Sequence, residues 1–296
     1  MKLTPVRAAQ ASVTVATILS VAKLYAAWVT GSVAMLGSLV DSGLYLVASA
    51  SLLYGVHRAA EPPDRDHRFG HGKAEAVAAL FQVMLIGVSA LGIAIQAIRQ
   101  IAGGSGSTAA PAGIAVSLLA IVVTFLLVIY QRRVIAASGS VAIGTDNIHY
   151  RSDLALNLSV IAALAIDQYL GIRGADALFG LGIAAWLGWS AWNASAKAID
   201  QLMDREWPNA KRQRFLAVAS QHPELRGIHE LRTRTSGNRD FVQFHVWVDG
   251  QMTLAAAHRV MDEVEAQLMR EFPDTEVLIH PDPEGHVDPP PNHDAG

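Results

Sequence analysis

Two ionisable side chains, His149 and Asp153, stand four residues apart inside an apolar run, in "DNIHYRSDLALN". A third, Asp41, interrupts another apolar run, in "GSLVDSGLYLVAS". If both runs are helical, positions i and i+4 put His149 and Asp153 on one face, and Asp41 on a neighbouring helix can complete a pocket. A carboxylate at mid-bilayer costs about 2.5–3.5 kcal/mol on insertion scales, so something must offset it. One neutral imidazole and two carboxylates suit a divalent cation such as zinc, which usually takes four ligands in a tetrahedron. The competing reading is a packing or hydration role for Asp41 and an interfacial pair for His149 and Asp153. Intramembrane acids weigh toward function.

A second cluster, Asp64, His67 and His71, lies in the polar stretch "PPDRDHRFGHGKAE". Spacings of three and four suit ligands to one ion, while the glycines and prolines predict a loop rather than a helix. A solvated polar loop is the alternative. A third set, His229, His245, His258, His280 and Asp282, falls in the C-terminal part of the chain. The sequence holds no cysteine, so thiolate sites and disulfides are excluded. Any metal must bind through histidine, carboxylate, tyrosine, backbone oxygen or water.

The elements that must carry these groups are mostly apolar. The chain is 51% hydrophobic and 17% charged, with a mean hydropathy of +0.28. A membrane-spanning helix needs about 20 apolar residues, and six segments qualify, at 8–29, 32–56, 76–98, 112–131, 140–166 and 174–199. The first is too long for a signal-peptide core and reads as a retained span. Basic residues gather before the first span (Lys2, Arg7), between the second and third (Arg58, Arg65, Arg68, Lys73) and between the fourth and fifth (Arg132, Arg133). Residues 103–113 carry no charge, and Arg173 is the basic residue between the fifth and sixth spans. Positive charge stays inside, so both termini are expected in the cytoplasm. A net charge of −3 argues against a nucleic-acid partner.

After Asp204 the pattern becomes that of a soluble domain. Pro208 opens a helical stretch to His222, residues 226–235 and 240–249 read as strands around the turn "SGNRD", 254–271 fits an amphipathic helix, and "EVLIH" fits a last strand. The order α-β-β-α-β implies a small α+β domain. The expected organisation is a six-helix all-α transmembrane domain over 1–204, a cytosolic domain over 205–283 and a disordered, proline-rich tail over 284–296.

With "SLVDS", "HRFGHGKAE", "HYRSD", "LMDRE", "HELRTRTSG" and "VLIHPDP" in this order, the chain resembles the cation diffusion facilitator family, especially its bacterial zinc and iron exporters. The resemblance covers nearly the whole chain. It implies a homodimer in the bacterial inner membrane whose cytosolic domains are ferredoxin-like, as in metallochaperones. It also implies exchange of outbound divalent metal for inbound protons. Carried onto this sequence, the resemblance makes Asp41, His149 and Asp153 the transport site and Asp64, His67 and His71 a cytoplasmic loop site. It gives a binuclear site to His229, His245, His258, His280 and Asp282, and pairs Lys73 with Asp204.

One position departs from the family's pattern. The second aspartate of span two, four residues after the first, is here Tyr45. A phenol with a pKa near 10 is a poor zinc ligand, so the site keeps three strong ligands and loses one negative charge. Zinc heads the expected metals, with iron(II), manganese and cadmium open. A membrane metal sensor or scaffold is the rival reading. An enzyme is disfavoured, because neither H-E-x-x-H nor Gly-x-Ser-x-Gly occurs.

Overall fold

The computed structural model describes residues 4–30, 33–103, 111–170 and 175–286; along some helical stretches, residues 33–42 among them, it describes the backbone alone. Of the tail expected to be disordered over 284–296, residues 284–286 are held in a turn, with the Glu284 N–H on the Val248 carbonyl at 2.9 Å, and 287–296 lie outside the described residues. The chain divides into two compact units, Met1–Leu202 and Met203–Gly296.

Unit 1 consists of long helices: α1 (Pro5–Thr30), α2 (Val33–Ala59), α3 (Ala74–Gly103), α4 (Pro111–Ser138), α5 (Val141–Leu170) and α6 (Ala175–Leu202). Their sequences are apolar on nearly every face, as helices in lipid are. Large side chains such as Val88, Leu91, Trp189 and Trp192 point outward, and small residues recur in the interior, with Ala8, Ala9, Ala76, Ala79, Ala142 and Ala198 fully buried beside larger ones such as Leu52 and Ile143. Small residues let helix backbones approach closely where lipid supplies no hydrophobic drive. Gly55 marks the tightest approach: a Cβ there would stand 2.3 Å from Ala78 Cβ on α3.

Among the described residues, segments of α1 (Pro5–Tyr25), α3 (Ala74–Ala102) and α4 (Leu118–Ser138) are long and apolar enough to cross a membrane by length and composition alone. Helix α5 is more polar because Asp146, Asn147, His149, Arg151 and Asp153 crowd its first half. Two caps fix where α5 begins. Gly139, at φ 66°, ends α4 with its N–H on the Ile135 carbonyl at 2.8 Å. The buried Glu75 carboxylate of α3 then accepts from Ser140 Oγ and, at 3.3 Å, from the Ala142 N–H, a negative charge placed at a helix N-terminus. Helix α5 packs against α3, α4 and α6.

Unit 2 runs α7 (Asn209–Ala219), β1 (Gly227–Ser236), β2 (Arg239–Val248), α8 (Leu254–Glu271) and β3 (Thr275–Pro283), the expected α-β-β-α-β order. The sheet order is β1-β2-β3, with β1 antiparallel and β3 parallel to β2. The parallel pair requires a crossover, which α8 provides. Thr253 caps α8 by accepting from the Ala256 N–H at 3.2 Å. Alternation along β2 sends Val242, Phe244, Val246 and Val248 into a core with Phe215, Val260, Val264, Leu268 and Phe272. The same alternation turns Gln243, His245 and Trp247 to the opposite face.

Candidate metal sites

In unit 1, α2 and α5 meet at Tyr45. Its hydroxyl donates to Asp153 Oδ1 at 3.0 Å, and its ring stands edge-on to the His149 imidazole with centroids 4.4 Å apart. The i, i+4 spacing thus brings His149 and Asp153 to one tyrosine. His149 is buried, and its Nε2 has no hydrogen-bond partner among the described residues. An unpaired polar nitrogen in a helical interior is costly, and with the ring proton on Nδ1 a cation at Nε2 would satisfy its lone pair. Asp153 and Tyr45 line a cavity of 150 Å³ with Lys23, Thr124, Tyr150 and Asn157, room for several waters or a hydrated ion. The Asp41 side chain, though on α2, lies outside the described residues.

The loop between α2 and α3 brings Asp64, His67 and His71 together, with one ligand atom of each within 4.8 Å of the others. Asp64 Oδ1 accepts from the N–H groups of Asp66 (2.9 Å) and His67 (2.6 Å), an Asx-type turn. His67 Nδ1 is 3.3 Å and His71 Nε2 is 3.2 Å from the Asp64 carboxylate. The His67 N–H, with help from Asp66, the His67 ring and the His71 charge, holds the Asp64 pKa below the usual carboxylate value. His71 is buried while Asp64 and His67 are exposed, so an ion there would be reached from the solvent side.

In unit 2 strand register decides the arrangement. His229 on β1 pairs with His245 on β2, which pairs with His280 on β3, forming a row of imidazoles across the sheet face away from α7 and α8. A bulge after His229, with Glu230 at φ 49°, ends the regular pairing there. Asp282, two residues past His280, is buried beneath the row. Its carboxylate lies 2.9 Å from His245 Nδ1, 3.2 Å from His229 Nε2 and 3.3 Å from His280 Nε2. Burial works to raise the Asp282 pKa, but the His245 hydrogen bond and the charges of His280, His245 and His229 bring it below the usual value. His229, His245 and Asp282 form a second group with ligand atoms within 4.8 Å. His258 stands elsewhere, exposed on α8 with Nδ1 3.3 Å from Asp262.

Lys73 donates to the Leu202 carbonyl at 3.1 Å within unit 1, and Asp204 lies 3.5 Å from Arg234 Nη1 within unit 2. Sequence reasoning passed over one polar cluster. Asp146, one turn before His149, is fully buried and bonded to Ser12, Gln82 and Gln131. Each of these polar residues interrupts an apolar span, but only helix packing brings them together.

A bundle of apolar helices with a histidine–carboxylate pair beside an internal cavity, joined to a small domain with its own histidine cluster, defines a membrane protein that handles metal cations. The sequence pattern of the cation efflux transmembrane domain matches residues 9–203, and that of the cation efflux protein cytoplasmic domain matches residues 207–284. The chain is 41% identical to the cation-efflux pump FieF of Cronobacter sakazakii over 94% of this chain and 92% of the relative. It is 42% identical to the cation-efflux pump FieF of Yersinia pestis over 94% of this chain and 93% of that protein. The metal-bound C-terminal domain of the CzcD transporter from Thermotoga maritima is 26% identical, with a TM-score of 0.26, over 28% of this chain and 100% of that one. The chain belongs to the cation diffusion facilitator family and is a cation efflux transporter rather than an enzyme.

Proposed function

We propose that the chain exports a divalent cation from the cytoplasm in exchange for protons, with zinc first among its substrates. The observation that carries this reading is the buried, unpartnered Nε2 of His149 one helical turn from Asp153, with Tyr45 touching both. Asp41 adds the second carboxylate. The metal enters from the cytoplasmic side and binds His149, Asp153 and Asp41. The helices then shift so that the site faces outward. Protons compete with the metal for the His149 lone pair and the carboxylates, and displace it. An imidazole with two carboxylates suits zinc, and the divalent affinity order ranks zinc above iron(II) and manganese.

The same reading makes residues 1–204 the six-span transmembrane part, in the bacterial inner membrane with both termini cytoplasmic, and 205–283 the cytosolic part. The protein works as a homodimer. The loop cluster of Asp64, His67 and His71 binds metal on the cytoplasmic side. His229, His245, His280 and Asp282 bind regulatory metal in the cytosolic domain, and His258, on α8, stands apart from them within one protomer.

The test is zinc flux into proteoliposomes driven by a proton gradient. Asp153→Ala should abolish it while the protein remains monodisperse and metal still binds the cytosolic domain. Flux at the wild-type rate in this variant removes Asp153 from the site. Repeating the wild-type assay with iron(II), manganese and cadmium ranks the substrates.

A further inference from the structure

Asp146 is a carboxylate that the exchange scheme above leaves unused. It is completely buried on α5, and its oxygens meet groups from three other helices. Ser12 Oγ of α1 lies 2.6 Å from Oδ2, Gln131 Nε2 of α4 lies 2.7 Å from Oδ2, and Gln82 Nε2 of α3 lies 2.5 Å from Oδ1. Asn147 Nδ2 occupies Gln131 Oε1 at 3.0 Å, which turns the Gln131 amide nitrogen toward Asp146.

Ser12 makes this cluster more than a static knot. A serine hydroxyl has one proton and can both donate and accept. Its oxygen lies 2.6 Å from Asp146 Oδ2 and 3.1 Å from the Ala8 carbonyl. When Asp146 is ionised, Ser12 donates to Oδ2. When Asp146 is protonated, Oδ2–H donates to Ser12 Oγ and the serine proton turns to the Ala8 carbonyl. Both protonation states are hydrogen-bonded with no heavy atom displaced. A purely structural hub gains nothing from this freedom, and an asparagine would avoid the cost of a carboxylate in the membrane interior.

His149 follows Asp146 by three positions on α5, so the two lie on one side of the helix. We infer that Asp146 is a proton-carrying residue of the transport cycle, ionised while metal occupies the His149 site and protonated after the metal leaves. This inference rests on the proton-exchange reading. The positive charge of a bound divalent cation one turn away favours the carboxylate, and its departure favours the acid. The groups facing Asp146 from α1, α3 and α4 are Ser12, Gln82 and Gln131, none of which titrates. On α5 itself the facing titratable groups are His149 and Tyr150. The Tyr150 hydroxyl is held by the Ser12 carbonyl at 3.0 Å and Ser49 Oγ at 3.2 Å.

The experiment measures protons moved per zinc ion by the full-length chain in proteoliposomes carrying a pH dye, for wild type and Asp146→Asn. The expected result is about one proton fewer per zinc in the variant. An unchanged ratio in the variant, with a proton-coupled wild type, overturns the assignment and leaves the exchange reading standing. A wild type that moves zinc without protons overturns both. Ser12→Ala supplies a second reading that keeps the carboxyl. In infrared difference spectra of metal-free against zinc-loaded protein, wild type should show a protonated-carboxyl band that zinc removes. Ser12→Ala should shift its frequency, because the acid has lost its acceptor. A band absent from wild type, or unmoved by Ser12→Ala, refutes the role given to Asp146.

Discussion

Replacing Tyr45 by phenylalanine removes one oxygen and leaves the ring against His149, so it isolates the hydrogen bond to Asp153. That bond is 3.0 Å long and ends on a half-buried carboxylate. A hydrogen bond to a charged group contributes about 1.5–3 kcal/mol. Each 1.4 kcal/mol is about tenfold in an equilibrium constant, so about ten- to a hundredfold in metal affinity is at stake. This range matches the usual loss when a group that orients a metal ligand is removed. The bond orients the Asp153 carboxylate, so its loss should appear as weaker binding with little change in maximal rate. The assay is zinc flux against concentration in proteoliposomes, with equilibrium zinc binding to a variant whose unit 2 histidine cluster has been disabled by Asp282→Ala. Wild-type affinity in Tyr45→Phe would show that Tyr45 does not orient Asp153 in the working site. Tyr45→Asp should act in the opposite direction, tightening binding by restoring a second carboxylate on α2.

Gly55→Leu places carbon where Ala78 Cβ already sits and should cost about 1–3 kcal/mol of stability by overpacking, read as a lowered melting temperature in detergent; an unchanged melt would mean α2 and α3 are looser than the structure shows. In unit 2, Asp282→Asn should abolish zinc binding to residues 203–286, which have their own core, and calorimetry showing wild-type affinity would contradict this. Without metal, the lowered pKa of Asp282 means that its carboxylate stabilises the fold above the ordinary carboxylate range. That stabilisation disappears as pH falls through the lower folded value. Acid melts of residues 203–286 should therefore converge for wild type and Asp282→Asn at low pH and separate near neutrality, and equal melts at neutral pH would remove the linkage. Asp64→Ala should unmake the loop turn and release His67 from His71, seen as loss of one metal-binding event in the full-length chain; unaltered metal stoichiometry would argue for a solvated loop.

The fold class was legible because two periodicities change at one place. Apolar runs with no polar face give way after Asp204 to alternating strands and an amphipathic helix, and α8 (Leu254–Glu271) coincides with the stretch read from the sequence. His149 and Asp153 were legible because a spacing of four has one meaning on a helix. The histidine row was less so: spacing places His229, His245 and His280 on strands, but only register makes them neighbours. His258 lies on a helix, and its separation from that row has no local signature. Tyr45 was recognisable as a departure from the family pattern, while its bond to Asp153 depends on how α2 and α5 are rotated. Asp146 was missed because its partners Ser12, Gln82 and Gln131 are individually unremarkable polar residues, far apart in the chain, that acquire meaning only when their helices pack.

The transport reading places a cation between α2 and α5, at His149 and Asp153. The most direct measurement is a cryo-electron-microscopy map of the zinc-loaded protein in lipid nanodiscs. Density is expected about 2.0–2.2 Å from His149 Nε2 and from an Asp153 carboxylate oxygen, lost in Asp153→Ala. Zinc resolved at His229 and His245 with clear, unoccupied side chains at His149 and Asp153 would rule that site out.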